Sequence, residues 1–342
     1  MKGKLLSHIV SRKLSMANFA ITNACNAACK HCNFPSVRDP RTVTLADARS
    51  AIDSLHDLGV GVLSVTGGEP FTVPHLPEIV EHASNIGMAV YTGTNGSLTT
   101  RRTVSRLADA GIDAVWISVE AADPVTLEAH RGLDGLSNDI GRTVGLLREH
   151  DVPTYAICAI NRGVLDIDKY LLYIHHLGFT SVKFDYPMTS PMGSSYLGYS
   201  NDQCLQLSPE ERERIVERIL QNKHDGSPVN IINPTEGLRG FLDHSKGIDV
   251  GYRCPAGRYV LYLDWDLNLF RCTQLEDTMG DVRDVVRGDL VTSECDLCYY
   301  QGCRDYGPLY HMIGAMREGD ISNLRLREGL RTFIELGRTD LL

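Results

Sequence analysis

The 342-residue chain has no run of 18 or more apolar residues, so no segment reads as a membrane-spanning helix. It has no excess of positive charge: 34 Lys and Arg stand against 43 Asp and Glu, a net charge of -9. Such a balance exerts no long-range pull on nucleic acid and disfavours DNA or RNA as the main substrate. It has no low-complexity tract and no repeat of short fixed period, which argues against linker-like and solenoid architectures. It also lacks a signal-peptide pattern, because His8, Arg12 and Lys13 interrupt the only apolar stretch near its start. Residues 1–16 are expected to form an N-terminal helix with Leu5, Leu6, Ile9, Val10 and Leu14 on one face. That helix either caps the fold or makes peripheral contact with a membrane surface.

What the chain does have is cysteine, ten in all. A chain with no secretion signal is expected in the cytoplasm, where thiols stay reduced, so clustered cysteines point to metal. Two groups stand out, Cys25 to Cys32 and Cys254 to Cys303. Cys158 and Cys204 stand alone, and Cys158, inside TYAICAI, reads as a small buried core residue.

From about residue 17 short apolar strands alternate with helices. Strands are expected at 17–22, 60–67, 88–94, 113–120, 153–160 and 181–186. Helices are expected at 44–56, 77–85, 99–110, 137–149 and 167–177 between them. Thr44 with Asp47 has the form of a capping box, and Gly87, Gly111 and Gly178 stop helices. Six β/α units in sequence, with strands expected to be buried on both faces, imply an α/β fold with a parallel sheet. The sheet curves into a partial (βα)6 TIM-like barrel over 17–225, and function is expected on the loops that follow the strands. A long helix starts at Ser208 (N-cap), Pro209 and Glu211. HDGSP at 224–228 marks the expected break to a small cysteine-rich domain over 226–342.

The first strand leads into TNACNAACKHCNFP, with Cys25, Cys29 and Cys32 spaced C-x3-C-x2-C. Three thiolates so close can hold three irons of a cubane and leave the fourth iron open. A zinc site completed by His31 is the competing reading. CNAACKHC, followed in order by TGGEP (66–70), TNGS (94–97) and SVE (118–120), resembles the radical S-adenosylmethionine (radical SAM) superfamily over roughly residues 17–225.

The resemblance implies a [4Fe–4S] cluster on Cys25, Cys29 and Cys32 whose open iron chelates S-adenosylmethionine. Reductive cleavage would give a 5′-deoxyadenosyl radical that takes hydrogen from an unactivated C–H bond. It places Gly67, Gly68, Glu69 and Pro70 at the methionine amino group, with Glu69 helping to hold the loop. It places Asn95 under the adenosine, with Ser118 and Glu120 at ribose and methionine contacts. Gly67 and Gly68 suit close approach of backbone to a ligand. Arg131, in EAHRG, suits the methionine carboxylate; a surface ion pair is its plainer reading.

The second group reads as a hairpin, YVLYLDW then LFRC, with Cys254 and Cys272 near its ends, followed by CDLCYYQGC. Four thiolates from a hairpin and a CxxC suit a zinc site or a full [4Fe–4S] cluster. The region is similar to the twitch and SPASM auxiliary-cluster domains of the same superfamily. That similarity implies one auxiliary [4Fe–4S] cluster on Cys254, Cys272, Cys295 and Cys298. Cys303 replaces one of them, donates a hydrogen atom, or is structural.

The expected activity is a redox modification of a C–H site: dehydrogenation, epimerisation or cross-linking. Radical-based transfer of a methyl or alkyl group is the alternative, and a non-catalytic iron–sulfur or zinc protein the third. Only 24 residues precede Cys25, which favours a small-molecule or lipid-like substrate over a peptide. An electron donor such as flavodoxin or ferredoxin is implied. Asp185 and Tyr186, ending the sixth strand, and Ser190 to Ser195 are candidate substrate contacts; Asp185 and Cys303 are the candidate catalytic residues.

Overall fold

The computed structural model describes residues 15–186, 207–249, 251–252, 254–272, 275, 277–291, 305–318 and 325–337. Cys204, Cys295, Cys298, Cys303 and Ser190 to Ser195 lie outside the described residues, as does nearly all of the expected N-terminal helix.

The chain opens with β1 (Ser15–Ala20), α1 (Leu45–Asp57), β2 (Val60–Thr66), α2 (Leu76–Asn85) and β3 (Ala89–Thr94). It continues with α3 (Arg101–Asp109), β4 (Ala114–Ser118), α4 (Pro124–Arg131), α5 (Leu136–Glu149), β5 (Thr154–Ala159), α6 (Ile167–His176) and β6 (Ser181–Asp185). Then come α7 (Pro209–Asp225), β7 (Asn230–Ile231) and α8 (Thr235–Ser245). Last are β8 (Val260–Leu263), β9 (Asn268–Phe270), β10 (Thr278–Asp281), α9 (Gly307–Glu318) and α10 (Leu326–Gly337). Helix starts follow their local signals. Asp47 N–H donates to Thr44 Oγ1 at 3.1 Å, and the Ser208–Glu211 capping box closes reciprocally at α7.

All ten strands form one sheet in the order β10-β9-β8-β1-β2-β3-β4-β5-β6-β7. From β1 to β7 each strand pairs in parallel with the next, with helices in the crossovers. One face packs on those helices: Phe19, Leu63, Val90, Val115, Ala156 and Phe184 share a core with Ile52, Ile79, Leu107, Leu147 and Leu171. Cys158 sits fully buried in that core, as expected.

Three expectations are corrected. First, Ser15 and Met16 are strand, not helix, because Met16 is paired with Val62 on one side and Val260 on the other. Second, not every strand is buried on both faces: β3 is buried throughout, whereas β4 to β6 are not. Burial alternates along β4, β5 and β6, leaving Trp116, Ser118, Tyr155, Ile157, Lys183 and Asp185 half-buried on the face turned away from the helices. Third, the sheet does not stop at HDGSP. β7 pairs with β6 (Ser181 with Asn230), and β8 pairs in parallel with β1 (Phe19 with Leu263), so residues after 226 extend the sheet at both edges. An open sheet leaves unpaired N–H and C=O groups at its edges, and these strands satisfy them.

The expected hairpin is present: β8 and β9 are antiparallel, with Tyr262 opposite Phe270. Asp264 closes the turn, its carboxylate accepting from the N–H groups of Asp266 (2.9 Å) and Asn268 (2.8 Å). This turn meets the segment after the first cysteine loop. Arg41 Nη1 donates to Asp266 at 2.8 Å, and Phe34 packs edge-on against Trp265 at 5.9 Å.

Candidate active site

The four motifs follow β1, β2, β3 and β4 and so gather at one end of the sheet. The cysteine loop sits on the C-terminal end of α4. Ala28 N–H donates to the Arg131 carbonyl at 2.9 Å, and Lys30 N–H to the His130 carbonyl at 3.0 Å. These are carbonyls that a helix end leaves without partners, so the loop satisfies them. Gly132 ends α4 at φ +64°, and a Cβ there would lie 2.9 Å from Ala28 Cβ. EAHRG is thus the seat of the cysteine loop. Sequence reasoning missed α4, although Asp123 as N-cap, Pro124 at N1 and Gly132 at the end all signal it.

Gly67 and Gly68 do approach a backbone closely, but that backbone is the cysteine loop itself. A Cβ on Gly67 would lie 2.2 Å from the Thr22 carbonyl oxygen, and one on Gly68 would lie 2.1 Å from that of Ala24. The contact is sealed by Gly68 N–H to Thr22 O and Glu69 N–H to Ala24 O, both 2.8 Å. Pro70 is buried and opens a short 3₁₀ turn over Pro70–Thr72 that Glu69 caps.

Glu69 ties the loops together. Its side chain, 1% exposed, accepts from Thr94 Oγ1 (2.8 Å), the Phe71 N–H (3.1 Å) and the Asn95 N–H (2.7 Å). Burial raises its carboxyl above the ordinary range, and these donors oppose the rise. Asn95 carries the link onward: its Nδ2 donates to Asn26 Oδ1 at 2.9 Å, and Asn26 Nδ2 donates to Ser97 Oγ at 2.9 Å. Asn26, between Cys25 and Cys29, was not singled out by sequence, since a lone Asn in a loop has no period or spacing to mark it.

Glu120 and Arg131 are both buried and face each other. Arg131 Nε and Nη2 donate to the two carboxylate oxygens of Glu120, the first at 2.6 Å, and Nη1 reaches Cys29 Sγ at 3.3 Å. Burial works against the guanidinium charge, and Cys29 and Glu120 more than offset it. Both groups expected to reach the cofactor therefore have each other as partners in this structure. Asn161, also missed, holds the Glu120 carbonyl through its Nδ2 at 2.9 Å. Ser118 ends β4 on the open face and is half-buried.

The sulfur environments test whether an iron–sulfur cluster fits. Two of the three accept an N–H, Cys25 from Ala27 at 3.5 Å and Cys29 from Arg131 at 3.3 Å, and the Phe34 backbone favours the charged form of Cys32. A neutral thiol is a poor acceptor, and donors aimed at these sulfurs suit thiolates or cluster-bound sulfur. Burial pushes the protein-only thiols up, Cys25 to about 11 and Cys32 to about 12, so charge compensation by a cation is what stabilises their ligand form. His31 is stacked on His130 with ring nitrogens 2.7 Å apart, and burial with the Arg131 charge lowers its pKa well below the usual value. Among the described residues no group of three or more His, Cys, Asp or Glu converges as a single metal ion requires. A cubane, which offers each cysteine its own iron, does not ask for that convergence.

Residues 19–168 match the Radical SAM superfamily model. The chain is similar to the AdoMet-dependent heme synthase of Methanosarcina barkeri, 28% identical over 199 residues that cover 57% of this chain and 55% of that protein. It is also similar to the PqqA peptide cyclase of Bradyrhizobium diazoefficiens, 25% identical over 214 residues, 58% of this chain and 55% of that protein. The chain thus spans about half the length of these curated relatives. Native anSMEcpe with bound AdoMet shares the fold, with a TM-score of 0.62 at 16% identity over 94% of this chain and 95% of that one.

The second cysteine group is seen in part. Cys254 and Cys272 are buried in one cluster with Ala20, Tyr262, Phe270 and Tyr310 beside the hairpin. Asp185 ends β6 on the open face, and burial pushes its carboxyl up to about 7, with Lys183 opposing and Asp305 adding to the rise. Tyr186 turns the other way, stacked on Phe241 at 4.2 Å with its hydroxyl 3.3 Å from Asp305. Of the two candidate substrate contacts, Asp185 is therefore half-buried on the open face, while Tyr186 is buried against Phe241. No helix of the described residues is long and apolar enough to cross a membrane.

Proposed function

We propose that this chain is a radical SAM enzyme that modifies an unactivated C–H site of its substrate by a redox reaction. When bound, a [4Fe–4S] cluster with S-adenosylmethionine on its open iron supplies a 5′-deoxyadenosyl radical able to take that hydrogen. The observation that carries the reading is the sulfur environment: three cysteines in one loop, Cys25 and Cys29 each with an N–H donor, on a loop to which the loops after β2 and β3 are hydrogen-bonded and on whose Cys29 the α4 residue Arg131 is aimed.

Cys25, Cys29 and Cys32 are the ligands. Arg131 donates to Cys29 and neutralises charge beside it, while Glu120 fixes the guanidinium. Glu69 locks the loop after β2 to the loop after β3, and Gly67 and Gly68 let both close on the cysteine loop. Ser118, Asn95 and the backbone after Gly68 are the contacts assigned to S-adenosylmethionine. Cys254 and Cys272 contribute to a twitch-like auxiliary cluster completed from Cys295, Cys298 and Cys303. Such a cluster would offer an acceptor for the substrate's electron, and an electron donor such as flavodoxin or ferredoxin would supply the electron that starts the reaction. The similar proteins are named for heme synthesis and for peptide cyclisation, so a small molecule and a peptide both fall within the range of substrates.

The test is anaerobic preparation with iron, sulfide and zinc counted per chain, then dithionite-driven cleavage of S-adenosylmethionine. About eight irons and release of 5′-deoxyadenosine are expected, with both the first cluster and the cleavage lost in Cys25→Ala. Near-zero iron after reconstitution removes the basis of the reading. Four irons with one zinc keeps the radical chemistry, removes the auxiliary redox role and turns the assignment to group transfer.

A further inference from the structure

The open inner face of β4 to β6 carries polar groups that the fold does not use. Among the described residues Lys183 Nζ has one hydrogen bond, to Tyr306 Oη at 3.3 Å, and lies 5.1 Å from the centre of that ring. An ammonium has three N–H donors, so two remain. Among the described residues Lys183 has no carboxylate within ion-pair distance, although Asp185 stands two residues along the same strand face. Among those residues the Asp185 carboxylate, the Tyr155 hydroxyl and the Trp116 indole N–H have no hydrogen-bond partner either. All four residues are half-buried: Trp116 and Tyr155 pack on one side against a small cluster of Ala89, Tyr91, Ala114 and Ile232, and the rest of their surface, like that of Lys183 and Asp185, is accessible. The indole has room to lie across β3 because Gly93 is beside it: a Cβ there would lie 2.3 Å from the Trp116 ring.

A protein interior normally pairs its polar groups, and a face that gathers a cation with spare donors, an anion and two neutral donors left without partners among the described residues suits a ligand that pairs them. Side groups two residues apart on a strand are separated by about 7 Å. We propose that Lys183 and Asp185, with Tyr155 and Trp116, form a substrate-anchoring face that selects an acid also carrying an amine or hydroxyl a few bonds away. Lys183 takes the acid group, Asp185 takes the N–H or O–H, and the two aromatic rings cover the body between them. That this ligand is the substrate rests on the radical SAM reading; its chemistry rests on the residues alone.

The test uses the anaerobically reconstituted full chain and three probes: 4-aminobutanoate, butanoate and butylammonium, each against sodium chloride at matched ionic strength. Thermal unfolding and the fluorescence of Trp265→Phe, whose one remaining tryptophan is Trp116, report binding. 4-Aminobutanoate is expected to bind saturably, and butanoate and butylammonium more weakly. Lys183→Met is expected to weaken the two acids about tenfold or more, as for loss of a charge-assisted hydrogen bond. Lys183→Arg keeps most of that affinity, which separates loss of charge from loss of fold. Asp185→Asn weakens the two amines. If no probe exceeds the salt control, or if binding survives both Lys183→Met and Asp185→Asn, the proposal is overturned. Cleavage of S-adenosylmethionine by the wild type is scored separately. Cleavage without probe binding sinks this inference alone; probe binding without cleavage sinks the radical reading alone.

Discussion

Arg131 grips both carboxylate oxygens of Glu120 with Nε and Nη2 while its third nitrogen, Nη1, reaches Cys29 Sγ. Both side chains are almost wholly buried, at 8% and 4% exposure. Removing one member of such a pair leaves a charge without compensation in the interior, which costs about 3–5 kcal/mol. Arg131→Met is therefore expected to lower unfolding stability by that order, as measured by anaerobic denaturant titration. Arg131→Lys keeps the charge but cannot match both oxygens and a sulfur, and about half the loss is expected. The double variant Arg131→Met with Glu120→Gln should recover part of the loss, since no unpaired charge remains. An Arg131→Met protein as stable as the wild type would mean that the pair does not form.

The glycine pair in TGGEP makes a second prediction. A Cβ on Gly68 meets the Ala24 carbonyl oxygen at 2.1 Å, and backbone cannot swing aside as a side chain can. Gly68→Ala is expected to push the loop after β2 away from the cysteine loop and to break the Gly68 and Glu69 hydrogen bonds to Thr22 and Ala24. The protein should retain its secondary structure and lose about half of its iron, the share held by Cys25, Cys29 and Cys32 when each cluster carries four irons. Circular dichroism with iron analysis reads both. Full iron content would show that these glycines do not seat the loop.

Much of this was legible before folding was considered. Thr44 with Asp47, and Ser208 with Glu211, are local capping signals, and α1 and α7 start where they say. Hydrophobic period and turn residues gave the β8–β9 hairpin for the same reason, since neither needs a distant partner. The purpose of Gly67 and Gly68 was less legible. Their spacing announces close approach, but only the folded chain shows that residues 22–24 are what they approach. The Glu120–Arg131 pair joins side chains 11 positions apart, across a helix that sequence reasoning had left as loop. The open inner face was present in SVKFDY as an alternation, Ser181, Lys183 and Asp185 against Val182 and Phe184. Read as a strand buried on both sides, that alternation was overlooked, because a barrel with room for a ligand and a filled one share the same helices outside.

Asp185 gives a prediction with a definite sign. Its carboxyl has an ordinary value of 3.8 and is raised to about 7 in the fold, chiefly by burial, with Lys183 opposing and Asp305 and Glu120 adding to the rise. Between those two values the folded chain binds more protons at this site than the unfolded one. Stability from this group therefore falls as pH rises from about 4 to about 7, and changes little beyond. Asp185→Asn cannot ionise and escapes that loss. Thermal midpoints of wild type and variant, measured in parallel from pH 5 to pH 8, should separate progressively in the variant's favour, because contributions of groups not coupled to Asp185 cancel in the difference. A constant gap would mean that Asp185 ionises as freely as in water. A gap that closes as pH rises would mean that its charged form is stabilised by a partner, and would remove the carboxylate from the open face to which we assign it.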